Sequence, residues 1–359
     1  MKKLLLFLIL VMIPFNTYAI TDTARSTIVM DMDSKRILYE KNANEPRLIA
    51  SITKIMTAVV AIEEGSLDEE VTVGEEVLSM YGSNIYIELG EKMTLRNLLY
   101  GLMLRSGNDA AVVIAKHIAG SEEKFVELMN KKAHEIGMKN TNYKNCHGLD
   151  EKTKNHSTAY DMAILSSYAN KNKTYKEIVS TKKWTVQSNN KTYVWHNRNK
   201  LLYSYKYTTG GKTGYTPSAG RTLVTTATKN NMNLTVVTLN DGNEYITHKS
   251  LYDYYFDKYN NFLIVDRNNF DSYDNFYKDK LYIKKSFTYP LTKNEENSVK
   301  VIVSLYKNKN YSDNDKVGDV IVKLKDKEIF KTDVYVKKDS HSKKNILNKI
   351  KIFFKKIFK

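Results

Sequence analysis

The 359-residue chain carries 56 Lys and Arg against 40 Asp and Glu, a formal net charge of +16, and a single cysteine, Cys146. One cysteine excludes an intramolecular disulfide framework, so the fold rests on its hydrophobic core, with length for one large domain and a smaller one. The charge does not mark a nucleic-acid binder: nine of the excess cations sit in the two terminal segments, and no zinc-finger spacing, RNP-like aromatic motif or basic helix lies between them.

In chain order, residues 1–19 read as a secretory signal peptide. Lys2 and Lys3 form the positive start, Leu4 to Ile13 a short apolar run ended by Pro14, and Thr17-Tyr18-Ala19 a small-residue cleavage site. The apolar run is well short of the ~20 residues a membrane span needs. Thr27–Asp31 and Arg36–Tyr39 predict a hairpin that turns at Asp33-Ser34-Lys35. Ile52, Ile55, Met56, Val59 and Ile62 recur at helical spacing, and Gly65 supplies the stop. Leu95–Leu104, Ala110–His117, Phe125–Ile136 and Thr158–Ala169 continue the helical pattern.

After Thr185 the texture changes to strands. Tyr193–Trp195, Tyr207–Thr213, Arg221–Lys229 and Leu234–Leu239 are rich in β-branched residues, and His248–Tyr259 reads as a closing helix. This order predicts an α+β body over residues 22–260, with the first hairpin joining the later strands in one antiparallel sheet. Residues 263–338 predict a small β-rich domain with no evident chemistry, in which Val299, Val301, Val303 and Leu305 alternate along one strand and Val320–Leu324 and Val334–Val336 supply others. It reads as a spacer. Residues 343–359 hold seven lysines and no acid, and Ile346, Ile350, Phe353, Phe354 and Ile357 form one helical face. That pattern predicts an amphipathic helix lying on an anionic membrane surface.

Three short motifs carry the chemistry. Ser51 and Lys54 stand one helical turn apart, so both project from one face. A serine hydroxyl is inert until a base takes its proton, and lysine serves only where burial or a positive neighbour lowers its pKa. The spacing alone is weak, because it recurs at Ser121-Lys124, Ser180-Lys183, Ser188-Lys191, Ser304-Lys307 and Ser340-Lys343. Ser106-Gly107-Asn108 falls in a break between helices, where Ser106 can relay a proton and Asn108 can hold both the Lys54 ammonium and a substrate carbonyl. Ser188-Asn189-Asn190 and Ser312-Asp313-Asn314 are decoys for it, the latter excluded by its place after the third motif. Lys212-Thr213-Gly214 occurs once, on a predicted strand: Lys212 and Thr213 can grip a carboxylate, and Gly214 leaves room for a substrate backbone.

With these residues in this order, the segment from about Thr27 to Phe256 resembles the serine-type D-alanyl-D-alanine carboxypeptidases, the low-molecular-mass penicillin-binding proteins of peptidase family S11. Leu48–Ala58, Leu99–Ala110, His147-Gly148-Leu149-Asp150, Asn199-Lys200-Leu201-Leu202 and Gly210–Gly220 carry the resemblance. It implies the penicillin-binding/β-lactamase-like transpeptidase fold, a sheet flanked by helices plus a helical subdomain. It also implies Ser51 as nucleophile, Lys54 as general base, Ser106 as proton relay, Asn108 as substrate contact, and Lys212 and Thr213 as carboxylate binders. The backbone N–H groups of Ser51 and Tyr215 would form the oxyanion hole. The implied reaction removes the terminal D-alanine from peptidoglycan stem pentapeptides through an acyl-enzyme, with β-lactams acylating the same serine and no metal or cofactor required. The implied place is the outer face of the cytoplasmic membrane, on the cell-wall side. A class A β-lactamase shares the three-motif logic but normally reads S-D-N and uses a glutamate-activated water; a wall-binding relic, an endopeptidase and a transpeptidase are further alternatives. Two departures from the family stand out. Its members often carry a carboxylate-binding arginine soon after the third-motif strands, whereas residues 240–251 here offer only His248 and Lys249 as basic groups. Cys146 precedes the His-Gly-Leu stretch, where a buried, inert thiol is expected, and His147 is either a helper in deacylation or a structural histidine.

Overall fold

Alternating β-branched residues give Ser26–Asp31, Gly220–Lys229 and Met232–Leu239 the stiffness that suits a pleated core. The computed structural model describes residues 20–270, 276–277, 280–307 and 309–337. The expected signal peptide and amphipathic tail helix lie outside them. The described chain divides into two compact units, with the boundary between Lys258 and Tyr259.

The first unit is built on a five-stranded antiparallel sheet in the order Ile37–Lys41, Ser26–Asp31, Met232–Leu239, Gly220–Lys229, Thr208–Thr216. The early hairpin therefore does join the late strands, through Ser26–Asp31 against Met232–Leu239. Helices cover both faces. Thr235 Oγ1 donates to Ser166 Oγ of helix Ala159–Ala169 on one side, while Thr225 and Thr238 bond His248 of helix Glu244–Lys258 on the other. Helix Lys54–Glu64 buries every residue from Lys54 to Ala61, the mark of a core helix rather than a surface one.

Two sequence expectations are corrected, and one helix is found that the sequence reading did not anticipate. Tyr193–Trp195 belongs to a separate hairpin, Lys183–Gln187 with Thr192–His196, not to the central sheet. Its inward face packs on the helical subdomain: the Trp184 ring stacks on Tyr100 at 3.8 Å, and Trp195 is buried against Gly101. The expected helix Leu95–Leu104 is α-helical only over Leu95–Tyr100 and widens to a π turn over Gly101–Arg105. Such widened turns recur at functional sites. The helix Lys173–Ser180, capped by Asn172, was hidden in sequence by its polar composition.

In the second unit, Asn260–Val265 pairs with Phe287–Leu291, and a four-stranded antiparallel sheet runs Lys280–Ile283, Lys327–Lys337, Lys316–Leu324, Val299–Leu305. Val320, Val322, Val334 and Val336 fill its core. Val299–Leu305 is an edge strand, so the alternation of Val301 and Val303 does not bury them: both are exposed.

Candidate active site

Ser51 sits in a tight 3-10 turn, Ala50–Thr53, that feeds helix Lys54–Glu64. The sequence places it on the first α-turn; the structure places it just before. Ala50 enters that turn with φ +48°, a left-handed conformation that costs a residue with a Cβ roughly 1–2 kcal/mol. Strain of this kind concentrates where the chain must aim a reacting group.

Lys54 opens the α-helix and is fully buried. Its Nζ donates to Ser51 Oγ at 3.2 Å, to Asn108 Oδ1 at 2.7 Å and to the His147 carbonyl at 2.5 Å. Burial pulls its pKa down to about 7; the fields of Cys146 and Asp109 oppose that shift and Arg198 adds to it. An amine poised near neutrality beside a hydroxyl is a competent general base.

Ser106 closes the π turn in a left-handed conformation (φ 67°, ψ 36°), and its buried Oγ has no partner among the described residues. It thus joins the cluster by position, not by a bond to Lys54. Asn108 opens helix Asn108–Ala119. Its Nδ2 donates to the Tyr81 carbonyl at 2.7 Å, which turns Oδ1 toward Lys54, and its backbone N donates to the Ser83 carbonyl at 2.7 Å.

The next residue, Asp109, holds the loop that supplies those carbonyls. Its buried carboxylate accepts from the backbone N of Ile85 (3.0 Å), Tyr86 (2.7 Å), Ile87 (3.3 Å) and Ala110 (2.9 Å). Burial raises its pKa, opposed by those same bonds. Sequence reading noted Asp109 only as part of a matching run; its place directly after the second motif was the available signal.

Strand Thr208–Thr216 brings the third motif alongside. Lys212 is buried, donates to the Thr213 carbonyl at 2.7 Å, and has its pKa driven down by burial, with Lys54 and Arg198 adding to the effect. The strand runs against the Ser51 turn so closely that a Cβ on Gly214 would stand 2.9 Å from Ser51 N and 3.1 Å from Ile52 N. Thr222 Oγ1, on the neighbouring strand, donates to the Ile49 carbonyl at 3.0 Å and fixes that approach. Tyr215 follows, with its side chain 61% exposed at the rim.

The His147–Asp150 landmark is a clamp on both parts. Gly148, at φ +89°, lies against Ala50 and Ser51 N where a side chain has no room, and Asp150 Oδ2 accepts from Thr216 Oγ1 at 2.6 Å. His147 reaches Lys54 through its carbonyl. Its ring Nδ1 accepts from Leu149 N at 3.1 Å, and burial drives its pKa down to about 3, so the structural role is the one the geometry supports. Cys146 is buried and its thiol pKa is raised by burial, then by Glu122.

Sequence reasoning missed Arg198, which immediately precedes the Asn199–Leu202 landmark. Its exposed guanidinium donates to Ser83 Oγ at 2.8 Å, and its charge reaches both buried lysines. The decoys lie elsewhere: Ser121 caps helix Glu122–Glu135, Ser188 closes the turn to Lys191, and Ser312 is in the second unit.

Residues 15–243 match the D-alanyl-D-alanine carboxypeptidase family, and residues 271–342 match the C-terminal domain of penicillin-binding protein 5. The chain is 37% identical over 264 residues to D-alanyl-D-alanine carboxypeptidase DacF of Bacillus subtilis, covering 70% of this chain and 67% of that one. It is 37% identical over 232 residues to DacA of Haemophilus influenzae, covering 60% of this chain and 57% of the relative. Among solved structures, penicillin-binding protein 5 of Haemophilus influenzae superposes with a TM-score of 0.74 at 30% identity, covering 89% of this chain and 98% of that one. Penicillin-binding protein 6B of Escherichia coli gives 0.70 at 28% identity, with 89% and 98% covered.

Proposed function

We propose, for a chain that belongs to the D-alanyl-D-alanine carboxypeptidase family, that Ser51 opens the terminal D-Ala-D-Ala amide of peptidoglycan stem peptides. The observation that carries this is the fully buried Lys54 amine, lowered to about 7 and 3.2 Å from Ser51 Oγ. Lys54 takes the hydroxyl proton as Ser51 Oγ attacks the carbonyl carbon. The oxyanion settles on the N–H groups of Ser51 and Tyr215, a reading supported by Gly214, the residue before Tyr215, packing closely on Ser51 N. Ser106 then relays the proton from the Lys54 ammonium to the leaving amine, and D-alanine departs. Water attacks the acyl-enzyme and gives a proton to Lys54, which passes it to Ser51 Oγ as the acyl–oxygen bond breaks and the shortened peptide leaves as its carboxylic acid.

Asn108 holds the lysine and the substrate carbonyl. Lys212 and Thr213 bind the terminal carboxylate, in a positive field to which Arg198 contributes. A β-lactam meets the same groups and acylates Ser51. No step calls for a metal or an organic cofactor.

The cell-wall substrate lies outside the membrane. Residues 1–19 are the export signal and residues 343–359 the anchor to the outer face of the membrane, on the strength of their sequence patterns alone. Among the described residues no helix is long and apolar enough to cross a membrane. Truncation after Lys338 is expected to move an active enzyme into the soluble fraction; a truncated form that still pellets with membranes would refute the anchor.

The deciding experiment pairs a fluorescent penicillin with a D-Ala-D-Ala pentapeptide. Stable labelling with D-alanine release, both abolished by Ser51→Ala in a folded protein, is the expected result. Rapid loss of label without peptide cleavage would replace the reading with a β-lactamase, and labelling that survives Ser51→Ala would overturn the nucleophile.

A further inference from the structure

A carboxypeptidase must tell a free terminal carboxylate from an ordinary peptide bond, and the two basic residues that follow the third-motif strands cannot do it here. His248 is buried, with its ring nitrogens bonded to Thr225 at 2.7 Å and Thr238 at 3.0 Å. Lys249 lines a separate groove with Leu201, Ser204 and Asp253.

Another cation stands on the strand beside the third motif. Gly220–Lys229 pairs with Thr208–Thr216 in a register that sets Thr222 opposite Gly214 and Arg221 opposite Tyr215. Gly214 and its pair Thr222 face the Ser51 turn, so Arg221, one residue along, projects from the opposite face of the sheet, the face that helix Glu244–Lys258 covers. Thr213 and Tyr215 are two residues apart and share a face, which Arg221 shares by direct pairing. Thr213 is then its diagonal neighbour, within reach of a side chain as long as arginine.

The Arg221 side chain is 57% exposed, yet it is not loose in solvent. Its guanidinium lies over the Tyr215 ring at 5.7 Å, and Nη1 faces Glu244 Oε1 at 3.5 Å, long for a charge-assisted bond. One edge of the fork is thus steered by a nearly buried acid while other donors remain for a second carboxylate. Glu244 alone would repel an anionic substrate; Arg221 offsets that charge.

We propose that Arg221, oriented by Glu244 and Tyr215, binds the substrate's terminal carboxylate together with Thr213 and supplies the discrimination between free acid and amide. This rests on the carboxypeptidase reading above. The test measures kcat/KM of the full chain for a D-Ala-D-Ala pentapeptide and for the same peptide amidated at its C-terminus. Arg221→Gln is expected to lower the acid-over-amide preference about 10- to 100-fold, the scale of one hydrogen bond to a charged group, with the amide rate little changed. Arg221→Lys, which keeps the charge but not the fork, is expected to recover part of the preference. An undiminished preference in Arg221→Gln, or an equal loss on both peptides, would overturn the assignment while the carboxypeptidase reading stood. An unsubstituted enzyme that releases no D-alanine from the acid peptide would remove both.

Discussion

Replacing Gly214 with alanine tests how the third-motif strand is fitted to the nucleophile. The new Cβ would stand 2.9 Å from Ser51 N and 3.1 Å from Ile52 N, where ordinary contact begins at 3.4 Å. These are backbone atoms at the head of a buried helix, so relief requires the strand and the Ser51 turn to separate by about 0.5 Å. A displacement of that size between nucleophile and oxyanion donors is expected to slow acylation about 10- to 100-fold. Overpacking should cost about 1–3 kcal/mol of stability, a fall in Tm of roughly 2–4 °C per kcal/mol in a domain of this size. Stopped-flow acylation by a fluorescent penicillin and a calorimetric melt read the two effects separately. Gly242→Ala is the control, since nothing lies within 4 Å of its added carbon. A Gly214→Ala protein that acylates within twofold of the parent at an unchanged Tm would refute the close-approach argument.

Acylation should rise with pH through a midpoint near 7, because Lys54 must be the free amine and its pKa is lowered to about 7 by burial. A pH profile flat from 6 to 8 would contradict a lysine base. The same depressed pKa means the unfolded chain binds the extra proton between about 7 and the ordinary lysine value near 10.4. Lys54 therefore opposes folding below about 7, and its contribution to stability improves as pH rises through that window, a trend that Lys54→Met should remove from chemical denaturation measured across it. Asp109→Asn should cost about 2 kcal/mol or more, since the charged acceptor of the Ile85, Tyr86 and Ile87 amides is lost. Hydrogen exchange at those three amides would speed up, and unaltered protection would count against the anchoring role. Cys146 should stay silent to a thiol reagent until the protein is denatured, because it is buried and its thiol pKa is raised; one thiol titrating in the native state would contradict its burial.

The sequence was informative where chemistry depends on residue type at short spacing. Ser51 and Lys54, Ser106 and Asn108, and Lys212 through Gly214 were recognisable because each motif is a short run of neighbouring residues, and the structure brings the three together around the Lys54 amine and the Ser51 backbone. The strands of the central sheet were legible for a similar reason: their β-branched runs set the pattern that the long-range pairing then uses. The polar helix Lys173–Ser180 and the separate hairpin around Trp195 were not, because the first is short and mostly polar, with Tyr175, Ile178 and Val179 as its apolar side chains, and the second matches a sheet strand until its packing partner is known. What only the tertiary structure decided was electrostatic. A lysine 0% exposed loses its hydration whatever its neighbours in sequence, so the depressed pKa of Lys54 belongs to the helices and loops packed around it. The hold of Asp109 on Ile85, Tyr86 and Ile87, the reach of Arg198 to Lys54 and the Arg221–Glu244 pair likewise join residues more than twenty positions apart. Desolvation and Coulomb interaction depend on distance in space, and that distance exists only once the chain has folded.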